Sequence, residues 1–138
     1  LSYQYIASAL PGVAGAQAEG RVLVFHLGNG ASICGMRARK SVATSMGFST
    51  LDGLVMGTRC GSLDPGAVLH LLEQEHMSVK DVSTLLYKQS GLKGVSGISH
   101  DMRELRASAA PEAKLAIDLF CHAAARQAGA ILPLLGGA

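Results

Sequence analysis

A chain of 138 residues has room for one domain with a buried core. Hydrophobic residues make up 49% of it and charged residues only 16%, so apolar faces meant for other segments or subunits are expected. The formal net charge of +2, the 4% aromatic content and the lack of any basic run argue against nucleic acid or a membrane surface as partner.

No apolar stretch is long enough to predict a membrane span. The first ten residues lack the basic start of a secretory signal and carry polar Ser2, Gln4 and Ser8. Cys34, Cys60 and Cys121 are odd in number and form no CxxC pair, which reads as reduced thiols in a cytoplasmic protein.

In chain order, residues 2–10 predict a short helix stopped by Pro11-Gly12, followed by a small-residue connector over 13–20. Residues 21–27, with Val22, Leu23, Val24, Phe25 and Leu27, form a nearly continuous apolar run that predicts a buried strand. Gly28-Asn29-Gly30 is a hairpin signal, and residues 31–36 return as a second strand. A charged turn at Arg37-Ala38-Arg39-Lys40 leads into a third strand over 41–45, giving a three-stranded antiparallel meander.

Residues 46–63 are long, glycine-rich and irregular, the kind of loop that carries function. Asp64 then caps a helix with Pro65 at its first position, predicted to run to about Glu75 and to bury Val68, Leu69, Leu71 and Leu72. Ser78 caps the next helix, with Asp81 three residues on and Val79, Val82, Leu85 and Leu86 at helical spacing. Ser90-Gly91 ends it, residues 94–99 read as a Gly/Ser loop, and a short helix starts from Asp101. Pro111 opens a long last helix. Its polar residues Lys114, Asp118, His122 and Arg126 fall in one narrow stripe, predicting packing on several sides.

Two glycine-bearing segments carry the chemistry. A glycine turn at a strand end lets backbone N–H groups approach an anion. Alone, Gly28-Asn29-Gly30 is better explained as a plain hairpin. Arg59, between Gly57 and Gly61, brings a planar guanidinium that suits phosphate oxygens, with a surface ion pair as the competing reading. Together the two segments point to a nucleotide phosphate site. His26 on its own reads as a strand histidine, and no HxH or HExxH spacing predicts a metal ligand. Cys60 reads as a small residue beside glycine, with no neighbouring His or second Cys to activate it. Ser99-His100-Asp101 imitates a hydrolase triad, but adjacent residues point apart and a helix entry explains them.

Four stretches, in this order, resemble the acetate kinases. They are Phe25-His26-Leu27-Gly28-Asn29-Gly30-Ala31-Ser32, Lys40 through Phe48, Gly53 through Pro65, and Ser90-Gly91 through Gly97-Ile98-Ser99-His100-Asp101-Met102-Arg103. The resemblance runs through nearly the whole chain. Propionate kinases share the motifs, and butyrate kinases resemble it more weakly at Asn29. It implies an α/β fold of the ribonuclease-H-like type found in the actin-like ATPase and sugar-kinase superfamily. Residues 1–138 would be part of the second, nucleotide-binding domain, truncated at both ends.

The resemblance also implies roles. His26, Leu27, Gly28, Asn29 and Gly30 match the segment lining the ATP phosphates. Asp101, Met102 and Arg103 match a segment at the nucleoside end, and Arg59 the arginine that stabilises the transferring phosphoryl group. The expected reaction is transfer from ATP, with magnesium, to acetate, giving acetyl phosphate and ADP. The alternatives are a propionate kinase or a non-catalytic nucleotide-binding or assembly module derived from such a kinase. The expected partners are ATP or ADP, a short-chain carboxylate and a second copy in a homodimer. A family His-Gly is expected just before Leu1-Ser2-Tyr3. The first domain, the adenosine loop and the magnesium-linked glutamate are likewise expected outside these residues, so no metal ligand is assigned here and the isolated chain is expected to be inactive. His100 stands where relatives often carry Asn or Ser.

Overall fold

The computed structural model describes residues 2–137. Helix α1 (Ser2–Ala14) leads through a short 3-10 turn (Gly15–Glu19) into strands β1 (Arg21–Leu27), β2 (Ala31–Arg37) and β3 (Lys40–Thr44). Helices α2 (Pro65–Glu73), α3 (Val79–Lys88), α4 (Gly91–Ser96), α5 (Met102–Ala107) and α6 (Pro111–Leu135) follow. The strands form one antiparallel sheet in the order β1-β2-β3, with Leu27 opposite Ala31 and Arg37 opposite both Arg21 and Lys40. The predicted meander is present.

Helix α1 does not stop at Leu10. It carries Pro11 in its interior and continues to Ala14, because a missing N–H removes one bond without forbidding the next turn.

The strand expected to be buried is not the buried one. Strand β1 lies at one side of the sheet, half-buried at Val22–Val24 and exposed at Phe25, His26 and Leu27. The middle strand β2 is buried at Ala31, Ile33, Cys34, Gly35 and Met36. An apolar run reports that a strand wants cover, and β1 receives little of it from the described residues.

Helix α6 crosses the sheet and supplies the cover that exists. Ala31 and Ile33 pack with Leu54, Met56, Ile131 and Leu135 in a first core cluster. Gly35 makes the close approach possible: a Cβ there would lie 2.5 Å from Ile131 Cγ2. A second cluster joins Leu92 and Leu105 to Ala113 and Ala116 at the other end of α6. Phe120 touches both. The expectation of packing on several sides of α6 is not met, since Leu115, Leu119 and Leu134 are exposed. Lys114, Asp118, His122 and Arg126 are exposed as well, with Lys114 paired to Asp118.

The local signals were accurate where they concerned caps. Asp64 accepts from the Gly66 N–H with Pro65 at the start of α2. Ser78 accepts from the Asp81 N–H and donates to the Asp81 carboxylate at 2.6 Å. The predicted burial along α2 fails: Leu69 is exposed and no α2 residue is fully buried. The expected Gly/Ser loop at 94–99 is partly helical, because α4 spans Gly91–Ser96 and ends at left-handed Gly97.

Candidate active site

The Gly28-Asn29-Gly30 turn closes the β1–β2 hairpin with Gly28 N–H donating to Gly30 O at 3.0 Å. None of the three residues takes a left-handed φ. Glycine is therefore not required here for chain reversal. Nor do protein neighbours demand it: a Cβ on Gly30 would sit 3.5 Å from Arg59 Nη1, and one on Gly28 3.6 Å from His26 Nε2, both ordinary contact distances. Among the described residues the amides of Asn29 and Gly30 make no backbone hydrogen bond, which leaves two N–H donors available at the tip of the turn.

Arg59 is held by a loop that is tied down at several points. Met56 N–H donates to Arg59 O at 3.2 Å and Leu92 N–H to Met56 O at 2.9 Å. Ser90 N–H donates to Thr58 O, and the Thr58 hydroxyl to Tyr87 O at 2.9 Å. Left-handed Gly91 packs against Met56 O and Arg59 O, where any Cβ would collide with backbone. Asp52 clasps the preceding stretch, accepting from Gly53 N–H at 2.8 Å and from the Ser62 hydroxyl at 2.7 Å. The Arg59 side chain itself donates to Thr50 O at 3.1 Å and makes no ion pair among the described residues. The surface ion-pair reading of Arg59 is thus not what the structure contains.

The turn divides two clefts. One, of about 510 Å³, is lined by Leu27, Gly28, Asn29, Asp101, Met102 and Arg103, with Phe120 among its walls. The other, of about 560 Å³, holds His26, Gly30, Ser32, Asp52, Arg59 and Tyr87. Both fall within the size range of small-molecule sites. Every residue predicted for the site lines one cleft or the other, and Gly57 lines the first. Its N–H donates to Asn29 O at 3.3 Å, and a Cβ on it would meet Asn29 Oδ1 at 2.5 Å and His100 O at 3.2 Å.

At the far end, Asp101 caps α5 by accepting from Arg103 N–H at 2.8 Å. The Arg103 guanidinium forks onto the same carboxylate, its Nη2 at 2.6 Å from Oδ2. That fork, aided by the backbone bond, lowers the Asp101 carboxyl to about 2 and raises Arg103 in turn. Burial pushes the Cys60 thiol up, away from the thiolate form.

Sequence reasoning missed the structural work of Asp52, the meeting of Gly57 with Asn29 and His100, and the place of Ser32 beside Arg59. Only Gly57 left a signal, a glycine two residues before the arginine. The Asp52 contacts with Gly53 and Ser62 fall within the same loop, and Ser32 meets the Arg59 cleft only through the folding of separate segments.

A three-stranded sheet covered by helix α6, with glycine-lined clefts at one end, defines a partial α/β domain with an anion-compatible site. Solved structures share this fold. An acetate kinase from Porphyromonas gingivalis superposes with a TM-score of 0.92 at 34% identity, over 99% of this chain and 35% of that one. A propionate kinase from Francisella tularensis gives a TM-score of 0.86 at 40% identity, over 94% of this chain and 34% of that one. The sequence model of the acetokinase family matches residues 1–138, and the chain belongs to that family. Acetate kinases from Rhodopseudomonas palustris and Methylocella silvestris are 58% and 54% identical to it over 99% of its length. The chain spans about a third of the length of the curated relatives it matches, 35% and 34% for these two.

Proposed function

We propose that these residues form the central, nucleotide-phosphate-binding part of an acetate kinase, a portion of its second domain truncated at both ends. The observation that carries the reading is the Arg59 guanidinium, beside Gly30 and free of carboxylate partners among the described residues. A cation so placed is held ready for an anion by the loop bonds to Tyr87, Ser90 and Leu92.

ATP fits this arrangement. The amides of Asn29 and Gly30 are available to phosphate oxygens, and glycine at 30 leaves room for them next to Arg59. Gly28 and Asn29 continue into the cleft of Asp101, Met102 and Arg103, which would take the nucleoside end. His26 stands at the Arg59 cleft, where it would line the phosphates. Bound magnesium ATP would supply the phosphoryl group for acetate. This chain's own residues would hold the phosphates in line and balance charge that spreads over the transferring oxygens. The magnesium ligands are assigned to other segments of the enzyme, as the family resemblance implies.

The test is Arg59→Ala in the full-length kinase carrying this segment. Arginines that stabilise a transferring phosphoryl group contribute about 10³–10⁵ in rate. A fall in kcat of about 10³ is expected, with ATP KM changed little. Near-normal turnover would sink the assignment. Propionate as acceptor is a second reading, favoured by the likeness to the Francisella tularensis propionate kinase, and the ratio of kcat/KM for the two acids decides it. A cytoplasmic homodimer is proposed on the same family grounds, with the exposed α6 leucines as one surface it would cover.

A further inference from the structure

The Ser32 hydroxyl belongs to no motif role assigned above, yet it stands in the Arg59 cleft with His26 and Gly30. Ser32 lies directly across the hairpin from His26, two residues past Gly30. The Ser32 Oγ lies 2.5 Å from the Tyr3 hydroxyl, a contact spanning 29 positions that ties α1 to the turn-bearing hairpin. Ser32 makes no other side-chain hydrogen bond among the described residues.

The chemistry of this pair sets its direction. A phenol is a stronger donor and a weaker acceptor than an alkyl alcohol. On that ground Tyr3 is assigned as the donor and Ser32 Oγ as the acceptor, although the contact distance alone allows either. A serine hydroxyl has one proton and two lone pairs. With a lone pair taken by Tyr3, the serine proton is left free for an acceptor in the cleft that Ser32 lines.

We propose that Ser32 is a further phosphate-contacting residue, donating its hydroxyl proton to an oxygen of the nucleotide phosphate chain, and that Tyr3 is the positioning residue that aims it. This rests on the reading of the Arg59 cleft as a phosphate site. It makes α1 a brace for the phosphate turn.

The experiment compares Ser32→Ala, Tyr3→Phe, the double variant, Ser32→Thr and Arg59→Ala in the full-length kinase, with ATP and acetate, each checked for unchanged thermal unfolding. A hydrogen bond to a charged group contributes enough that Ser32→Ala should lower kcat/KM for ATP about tenfold. Tyr3→Phe should lower it about threefold, with acetate KM unchanged in both. Ser32→Thr keeps the hydroxyl and should restore activity to within about threefold of the parent. The double variant should be no worse than Ser32→Ala, because Tyr3 acts only through that hydroxyl. If the two losses multiply instead, the positioning role is overturned. Normal kinetics in Ser32→Ala beside a crippled Arg59→Ala would overturn the inference and leave the phosphate site standing. Normal kinetics in Arg59→Ala would remove the site itself.

Discussion

Asp101 and Arg103 illustrate how two neighbouring residues can set both a helix start and a site wall. The carboxylate caps α5 and holds the guanidinium, while Arg103 remains 90% exposed at the cleft. Because the folded carboxyl is lowered to about 2, it binds its proton more weakly than in an unfolded chain, where Asp titrates near about 3.9. Stability from this clasp therefore rises with pH across that window. It is complete above about pH 4 and is lost as pH falls through about 2. We expect an NMR titration of the Asp101 carboxyl to give a midpoint near 2, and Arg103→Ala to return it toward the ordinary value. A midpoint unmoved by Arg103→Ala would show that the fork is not what holds the carboxyl down. None of this was visible in Asp101-Met102-Arg103 beyond the capping signal, since the fork depends on where the long side chain folds back. Arg59 is the opposite case. Its flanking glycines marked it in the sequence, and the structure adds that its guanidinium has no carboxylate within ion-pair range among the described residues.

Among elements, the features legible in sequence were those decided within a few residues. The Asp64-Pro65 start, the Ser78–Asp81 cap and the meander all rest on local bonds. Features decided by distant partners were not legible. Helix α4 forms despite Gly91 and Gly94 because Leu92 and Lys93 N–H groups are bound to Met56 O and Gly57 O of the arginine loop. The end of α6 is similar. Gly136 is left-handed, Gly137 N–H returns to Leu132 O, and Arg37 donates to Leu135 O at 2.6 Å, with Arg21 on Gly136 O. Two cations on the last carbonyls complement the helix dipole and fasten α6 to the sheet ends. Gly35 lets that fastening close. A methyl there would intrude on Ile131 and Leu135, so Gly35→Ala should destabilise by about 1–3 kcal/mol through overpacking. Urea unfolding of the full-length kinase checks it. Relief by Ile131→Val in the same background would trace the cost to that contact, and a neutral Gly35→Ala would mean that α6 can lift off β2 without penalty.

Across the whole molecule, the low charge and high apolar content now have locations. Phe25 and Leu27 are 42% and 57% exposed on β1, at an edge of the sheet, and Leu115, Leu119 and Leu134 line an uncovered side of α6. An edge strand with exposed apolar side chains is a template for further pairing, and patches of this kind mark contact surfaces. The clefts have the same character. Arg59, Gly30 and Ser32 wall one side of theirs, while relatives that match this chain are about three times as long. Phosphoryl transfer depends on positioning from several directions at once, so a wall alone should bind weakly and turn over nothing. We therefore expect residues 1–138, produced alone, to make no acetyl phosphate from magnesium ATP and acetate, and to bind a dye specific for exposed apolar surface. Supplying the remaining segments of the full-length kinase in trans should lower dye binding and restore measurable turnover together, because one association covers the strand edge and completes the cleft. Turnover by the 138 residues alone would mean that the acceptor site is built within them, and restored turnover with dye binding unchanged would separate the apolar faces from the assembly of the active site.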